Sequence, residues 1–147
     1  MKILVIHGPN LNFLGKREPE IYGNTNLDDL NSFILSNAKD INSDIDVTFF
    51  QSNSEGEIVS EIQNAFENYD GIIINPAAYT HTSVAIRDAV LSTGIPVVEV
   101  HISNIYKRED FRQKSYVSGV SVGVISGFGK DSYILGLRGL ISYLENK

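Results

Sequence analysis

The feature that most constrains the fold is an alternation of short apolar runs with longer amphipathic segments. Five runs are rich in β-branched residues and apolar at successive positions, which is typical of strands buried on both faces, as in a parallel sheet. These runs are Ile3–Ile6, Val47–Phe50, Gly71–Ile74, Val97–Ile102 and Val120–Ile125. Because parallel strands need crossover connections, the segments between them are expected to be helices.

The intervening segments have helical apolar spacing and recognisable end signals. Ser54 and Glu57 form a capping-box pattern, and Gly94 is typical of a helix end. The predicted helices are Leu27–Ala38, a helix opened by Ser54, a helix opened by Thr82 or Ser83, and a last helix from about Lys130 to Glu145. Repeated strand–helix units with right-handed crossovers predict one α/β domain over residues 1–147. Its expected architecture is flavodoxin-like, a doubly wound five-stranded parallel sheet of order 2-1-3-4-5 with helices on both faces.

Composition narrows the functional classes. The chain of 147 residues has a net charge of −6, which argues against a nucleic-acid partner because a protein that binds nucleic acid normally needs a basic face. It has no cysteine, which removes disulfides, thiolate nucleophiles and cysteine-based zinc sites. Neither a leader pattern nor an apolar run of ~20 residues is present, so a cytoplasmic protein without a membrane partner is expected.

Polar residues follow three of the predicted strands. In open parallel sheets, ligands bind beyond the carboxyl ends of the strands, near the point where the strand order reverses. Strands 1, 3 and 4 meet there, and they end in Gly8–Asn10, Asn75–Ala77 and His101–Ser103. The sequence therefore predicts a polar ligand site formed by these three ends.

The connection after strand 1 is a second candidate for function. It runs from Gly8 to Thr25, contains Asn10, Arg17 and Tyr22, and has little helical periodicity. Loops of this length in compact domains are usually lids or binding loops. The residues also allow plainer interpretations, in which Tyr22 packs the loop down and Arg17 is a solvated surface charge.

Histidine is the usual acid–base residue near neutral pH, and the chain has three. His7 continues strand 1 and could be either functional or a buried, hydrogen-bonded core residue. His81 lies where a helix begins, so it could serve a ligand or the helix end. His101 lies at the end of a buried central strand, two residues after Glu99, and both are site candidates. Arg112 belongs to a charged segment that also fits a surface helix or loop.

Two short motifs are excluded as active sites. The Gly119–Gly123 segment matches the nucleophile elbow of hydrolases, but that elbow needs a strand–turn–helix context, and Ser121 is predicted to lie within a strand. Gly127 and Gly129 lack the third glycine of a dinucleotide-binding fingerprint. A flavodoxin-like module that binds flavin or carries a phosphorylated aspartate remains an alternative to an enzyme. So does a protein that keeps the fold and the anion site but has no activity.

Three blocks of sequence resemble the type II 3-dehydroquinate dehydratases, in the family's order and over its whole length. The blocks are Ile6–Asn12 with Gly15–Pro19 and Tyr22-Gly23, then Asn75–Ser83 with Arg87-Asp88, and finally Glu99–Asn104 with Arg108 and Phe111-Arg112. Several separate blocks in order are far more specific than one short motif. The resemblance implies a lyase that needs no metal or organic cofactor and acts on an anionic small molecule, 3-dehydroquinate.

The resemblance also implies a role for each matched residue. Tyr22 would be the base, Arg17 would hold it as phenolate, Asn10 would help to stabilise an enolate, and His101 would protonate the leaving hydroxyl. Substrate contacts would come from Asn75, His81, Ile102, Ser103 and Arg112. Asp88 would reach in from a neighbouring subunit, because family members assemble as dodecamers built from trimers.

Overall fold

Five parallel strands form the centre of the protein. A computed structural model of the chain describes residues 1–16, 20 and 24–147. The strands are β1 Lys2–His7, β2 Asp46–Gln51, β3 Gly71–Asn75, β4 Val97–His101 and β5 Gly123–Ser126. They are ordered β2-β1-β3-β4-β5 and every pairing is parallel. This confirms the predicted sheet, including its strand order.

Two helical layers cover the sheet in the part of the chain that the structure describes. Its longer helices are α1 Leu27–Ile41, α2 Glu55–Ala65, α3 Val84–Thr93 and α4 Asp131–Glu145. Buried residues of α1 and α4 form one core cluster with the sheet, while those of α2 and α3 form another. The apolar faces of the helices therefore close both sides of the sheet, as predicted. Among the described residues, none of the helices is long and apolar enough to cross a membrane.

Local sequence signals fix the helix starts. The Ser54 hydroxyl accepts from the backbone N–H of Glu57 at 3.2 Å, and Ser83, the second of the two candidates, opens α3 by accepting from Ile86 N at 2.9 Å. The capping box at α2 is only half formed, because the Glu57 carboxylate accepts from the Ser52 hydroxyl instead of turning back to the backbone N–H of Ser54. The carboxylate thus ties α2 to the end of β2.

The edge strand differs from its prediction. β5 begins at Gly123, and the preceding residues Ser118–Val120 form a 3₁₀ turn. In this turn the Ser118 hydroxyl donates to the buried Glu99 carboxylate on β4 at 2.6 Å. Ser121 therefore precedes the strand rather than lying within it. The elbow remains excluded because a strand, and not a helix, follows Ser121.

Candidate functional site

The polar ends of β1, β3 and β4 line one pocket at the carboxyl edge of the sheet. Seven of the residues predicted from the sequence lie in its lining: Asn10, Asn75, His81, His101, Ile102, Ser103 and Arg112. The ends of β1, β3 and β4 therefore meet at one pocket, as predicted from the strand order.

A close approach of two backbones places Asn10. The N–H of Gly8 donates to the carbonyl of Asn75 at 2.7 Å, and a Cβ on Gly8 would lie 2.5 Å from the Pro76 carbonyl oxygen. Only glycine leaves room for this contact. Asn10 then turns with a left-handed φ of 70°, and its N–H donates to Asn53 Oδ1 at 3.0 Å. The Asn10 side chain is left exposed at the mouth of the pocket.

The end of β3 is held in an uncommon backbone conformation. Ala77 has a φ of 52°, which is unfavourable for a residue with a Cβ, and such outliers cluster at functional sites. The Asn75 carboxamide oxygen supports this turn by accepting from the Ala77 N–H at 3.1 Å. Asn75 is buried, yet it borders the pocket, so its amide can act on a ligand while it shapes the loop.

His101 lies beside a buried carboxylate. Its Nε2 is 3.1 Å from Glu99 Oε2, an ion-pair distance without good hydrogen-bond alignment. The hydroxyls of Ser115 and Ser118 donate to the two Glu99 oxygens at 2.7 and 2.6 Å. Burial by itself would raise the pKa of the Glu99 carboxyl, but the His101 contact and the hydroxyl hydrogen bonds outweigh it and lower that pKa. The carboxylate is thus kept charged behind an imidazole that borders the pocket.

Cationic groups approach the pocket from its outer rim. Arg108 and Arg112 both line it, although the whole chain has a net charge of −6. Arg112 donates through Nε to Glu109, which leaves its remaining guanidinium donors for a ligand. His81 donates from Nδ1 to the Lys114 carbonyl at 2.7 Å, and partial burial lowers its pKa, so Nε2 is an acceptor in the neutral ring. This rim suits an anionic, hydroxylated ligand.

Four of the predicted site residues are not among the described residues that line this pocket; one of them, Glu99, lies behind His101. Arg17 and Tyr22 lie outside the described residues. Asp88 lies on the exposed side of α3, and it is not among the described residues that line the pocket. Within the described residues there is also no group of three or more histidine or carboxylate side chains that could hold a metal ion.

Sequence reasoning missed the apolar wall of the pocket and the support behind His101. Leu11, Leu14 and Ile105 form that wall, and Leu11 stands out in hindsight as an apolar residue between two asparagines. The contribution of Ser115 and Ser118 carried no local signal, because serines in a loop are common. Their role becomes visible only in the folded protein, where both hydroxyls reach Glu99 on β4.

Comparisons with known proteins agree on one family. The profile of the family described as Dehydroquinase class II matches residues 1–141. A 3-dehydroquinate dehydratase from Geotalea daltonii is 57% identical over 145 residues, which cover 99% of both chains. A type II dehydroquinase from Butyrivibrio crossotus superimposes with a TM-score of 0.92 at 52% identity, over 96% of this chain and 97% of that one. One from Propionibacterium acnes gives 0.90 at 42% identity, over 96% of each chain.

Proposed function

The chain belongs to the class II dehydroquinase family, and we propose that it is a type II 3-dehydroquinate dehydratase. This lyase removes water from 3-dehydroquinate to give 3-dehydroshikimate, in the shikimate pathway of aromatic amino-acid biosynthesis or in quinate breakdown. The observation that carries the proposal is the pocket itself, which combines a carboxylate-backed histidine with two guanidinium groups. The histidine suits proton transfer, and the two guanidinium groups suit an anionic substrate.

The proposed reaction begins with Tyr22 as the base. Its phenolate takes the proton from the carbon next to the substrate ketone, and the electrons move onto the ketone oxygen as an enolate. A phenol has an ordinary pKa near 10, so ionising it at pH 7 costs about 4 kcal/mol. One cation ~4 Å away at an effective dielectric near 20 supplies about that much. Arg17, five residues earlier on the same loop, is proposed as that cation.

The second half of the reaction expels the hydroxyl. As the enolate reverts to the ketone, the β-hydroxyl leaves and takes a proton from His101, so the leaving group is water. Glu99 is proposed to orient the imidazole and to stabilise its protonated form. Asn10, at the mouth of the pocket, is proposed to stabilise the enolate, with water as an intermediary. The ketone itself holds the charge of the intermediate, so the proposal requires neither a metal nor an organic cofactor.

Substrate binding is proposed to use the other lining residues. The Arg112 guanidinium suits the substrate carboxylate, while Asn75, His81 and Ser103, with the backbone at Ile102, suit its hydroxyls. Asp88 is not among the described residues that line the pocket of its own chain, which supports the proposal that it serves a neighbouring subunit. We propose a dodecamer built from trimers as the assembly that brings it there.

Turnover provides the direct test. The purified chain should convert 3-dehydroquinate to a conjugated enone, which is followed by its ultraviolet absorbance. Ser60→Ala, a change on the exposed face of α2, is a suitable control because it lies away from the pocket and should leave the rate unchanged. A folded, pure protein that produces no enone would overturn the proposal.

A second test separates this mechanism from the Schiff-base chemistry of lysine-dependent dehydratases. In the described part of the chain, the residues lining the pocket include no lysine, and the proposed base and acid are on different strand-end segments. We therefore expect resistance to borohydride in the presence of substrate, together with loss of the hydrogen anti to the leaving hydroxyl. Stereospecifically deuterated substrate measures the second outcome. A substrate-dependent borohydride adduct on any lysine, or loss of the syn hydrogen, would contradict this mechanism.

A further inference from the structure

A line of buried polar side chains runs behind the pocket. His7 Nε2 is 2.8 Å from Asn31 Oδ1 on α1, and His7 Nδ1 is 3.0 Å from the hydroxyl of Tyr133 on α4. Asn75 Nδ2 donates to the same hydroxyl at 3.0 Å, and Asn75 Oδ1 accepts from the Ala77 N–H. His7 and Tyr133 are fully buried and only Asn75 borders the pocket. The proposed reaction uses neither His7 nor Tyr133.

The direction of every hydrogen bond in this line follows from one backbone group. The N–H of Ala77 can only donate, so the atom of Asn75 that faces it must be the oxygen. Asn75 therefore presents its NH₂ to Tyr133, and the Tyr133 oxygen accepts. The Tyr133 proton must then go to His7 Nδ1, which makes Nδ1 an acceptor and places the ring proton on Nε2. That proton is donated to Asn31 Oδ1.

Burial stabilises this single arrangement. Reversing the Asn75 amide would set two donors against each other at Ala77 and would leave buried groups without partners, which is unfavourable in a dry interior. Burial also lowers the pKa of His7 to about 4 and raises that of Tyr133, so both groups stay neutral near pH 7. His7 is packed further by the Phe49 ring, which lies parallel to it with centroids 6.3 Å apart.

We propose that His7 and Tyr133 are positioning residues that fix the amide orientation of Asn75. With one N–H given to Tyr133 and one lone pair given to Ala77, Asn75 keeps a single N–H donor and a single lone pair for a ligand. The donor would bind an oxygen of the substrate, such as a hydroxyl that accepts. The identity of that substrate rests on the proposed function, whereas the orientation of Asn75 rests on the hydrogen bonds alone.

Substitutions separate positioning from simple packing. Tyr133→Phe removes the shared hydroxyl, and His7→Leu removes the acceptor, while His7→Asn keeps an oxygen near the position of Nδ1. We expect Tyr133→Phe and His7→Leu to raise KM about tenfold with kcat nearly unchanged, because Asn75 binds substrate and transition state alike. His7→Asn should restore KM to near its original value. Tyr143→Phe, on the exposed side of α4, is the matched control and should change neither constant.

The result that would overturn the proposal is an unchanged KM in folded Tyr133→Phe and His7→Leu, or a fall in kcat alone. If neither variant folds, the unmodified protein decides the question. Nitrogen NMR of labelled histidine should find His7 with its proton on Nε2 and a bare Nδ1 near pH 7; a proton on Nδ1 would overturn the proposal. This measurement needs no substrate. Absence of turnover by the unmodified protein would instead count against the proposed function and leave the NMR result standing.

Discussion

At the scale of single residues, the proposed chemistry depends on a tyrosine whose ionisation requires a nearby cation. We predict that Tyr22→Phe and Arg17→Ala each lower kcat by about 10²-fold or more, the usual loss when a general base or its support is removed. Steady-state kinetics measure the loss, and circular dichroism checks the fold. Tyr143→Phe serves again as the control. A folded Tyr22→Phe protein with nearly normal turnover would eliminate Tyr22 as the base.

A second prediction at this scale concerns the effect of His7 on the stability of the protein rather than on its rate of turnover. The pKa of His7 is about 4 in the folded protein, against an ordinary value of 6.5. Between these values the unfolded chain holds a proton that the folded protein lacks. The free energy of unfolding should therefore fall as the pH is lowered from 6.5 to 4, by about 3 kcal/mol, and the contribution should level off below pH 4.

Urea unfolding of the unmodified protein and of His7→Asn at several pH values isolates this effect. His81 and the carboxylates titrate in both proteins, so the difference between the two curves belongs to His7. The side chains that contact its ring, those of Asn31, Phe49 and Tyr133, carry no charge at these pH values. Parallel curves for the two proteins would show that His7 does not hold a lowered pKa.

At the scale of secondary-structure elements, α4 is pressed against the sheet at one glycine. A Cβ on Gly136 would lie 2.7 Å from Val100 Cγ1 on β4, whereas a Cβ on Gly139 would meet nothing within 4 Å. We predict that Gly136→Ala destabilises the protein by about 1–3 kcal/mol through overpacking. Gly139→Ala, three residues along the same helix, should stabilise it by about 0.5–1 kcal/mol, because alanine favours helix more than glycine does.

Thermal or urea unfolding of the two glycine variants gives the comparison. Both changes add the same methyl group to the same helix, so helix propensity affects them equally and only the space around the Cβ differs. Equal shifts of the same sign in both variants would mean that the approach of α4 to β4 does not limit its packing.

Elements were also the scale at which the sequence was most informative. Apolar runs predicted all five strands, and the three central ones, β1, β3 and β4, are buried almost throughout, as a strand covered on both faces requires. The exceptions were the start of one strand and the cap of one helix, where side chains bond to residues outside that element. Ser118, in the turn before β5, bonds to Glu99, nineteen residues away in the chain, and β5 begins only at Gly123. The Glu57 carboxylate bonds to Ser52 rather than completing the capping box.

At the scale of the whole molecule, the position of Asp88 leads to a prediction about the assembly. If Asp88 completes the site of a neighbouring subunit, Asp88→Ala and Tyr22→Phe chains should each have low activity alone. Mixed oligomers would contain sites with Tyr22 from one chain and Asp88 from the other. Random mixing in a closed ring should then restore about a quarter of full activity. Co-refolding of the two variants, followed by a turnover assay, measures the gain.

Two outcomes would contradict this prediction. If Asp88 acted in its own subunit, no mixed site would hold both residues and mixing would restore nothing. A fully active monomer in light scattering would lead to the same conclusion. The homo-oligomer formed by two copies of the same variant, taken through the same refolding, is the matched control for losses in the procedure.

Apolar patterning along the chain was enough to predict the layered α/β fold, its strand order and the three strand ends that meet at the pocket. These depend on apolar periodicity and on the handedness of crossover connections, which act over short stretches of chain and leave a readable pattern. The sequence also left His7 with two interpretations, as a functional residue or as a buried core residue, and the structure places it in the core.

The side chains that support the pocket from behind could be identified only in the folded protein. His7 and Tyr133 are 126 positions apart, and Asn75 and Tyr133 are 58 apart, yet they share one hydroxyl. Ser115 and Glu99, 16 positions apart, are likewise joined by a hydrogen bond. A hydrogen bond between distant residues requires that both elements be packed first, so neither residue carries a local mark of it. Packing, rather than chain neighbourhood, brings these polar groups within bonding distance and removes the water that would otherwise satisfy them.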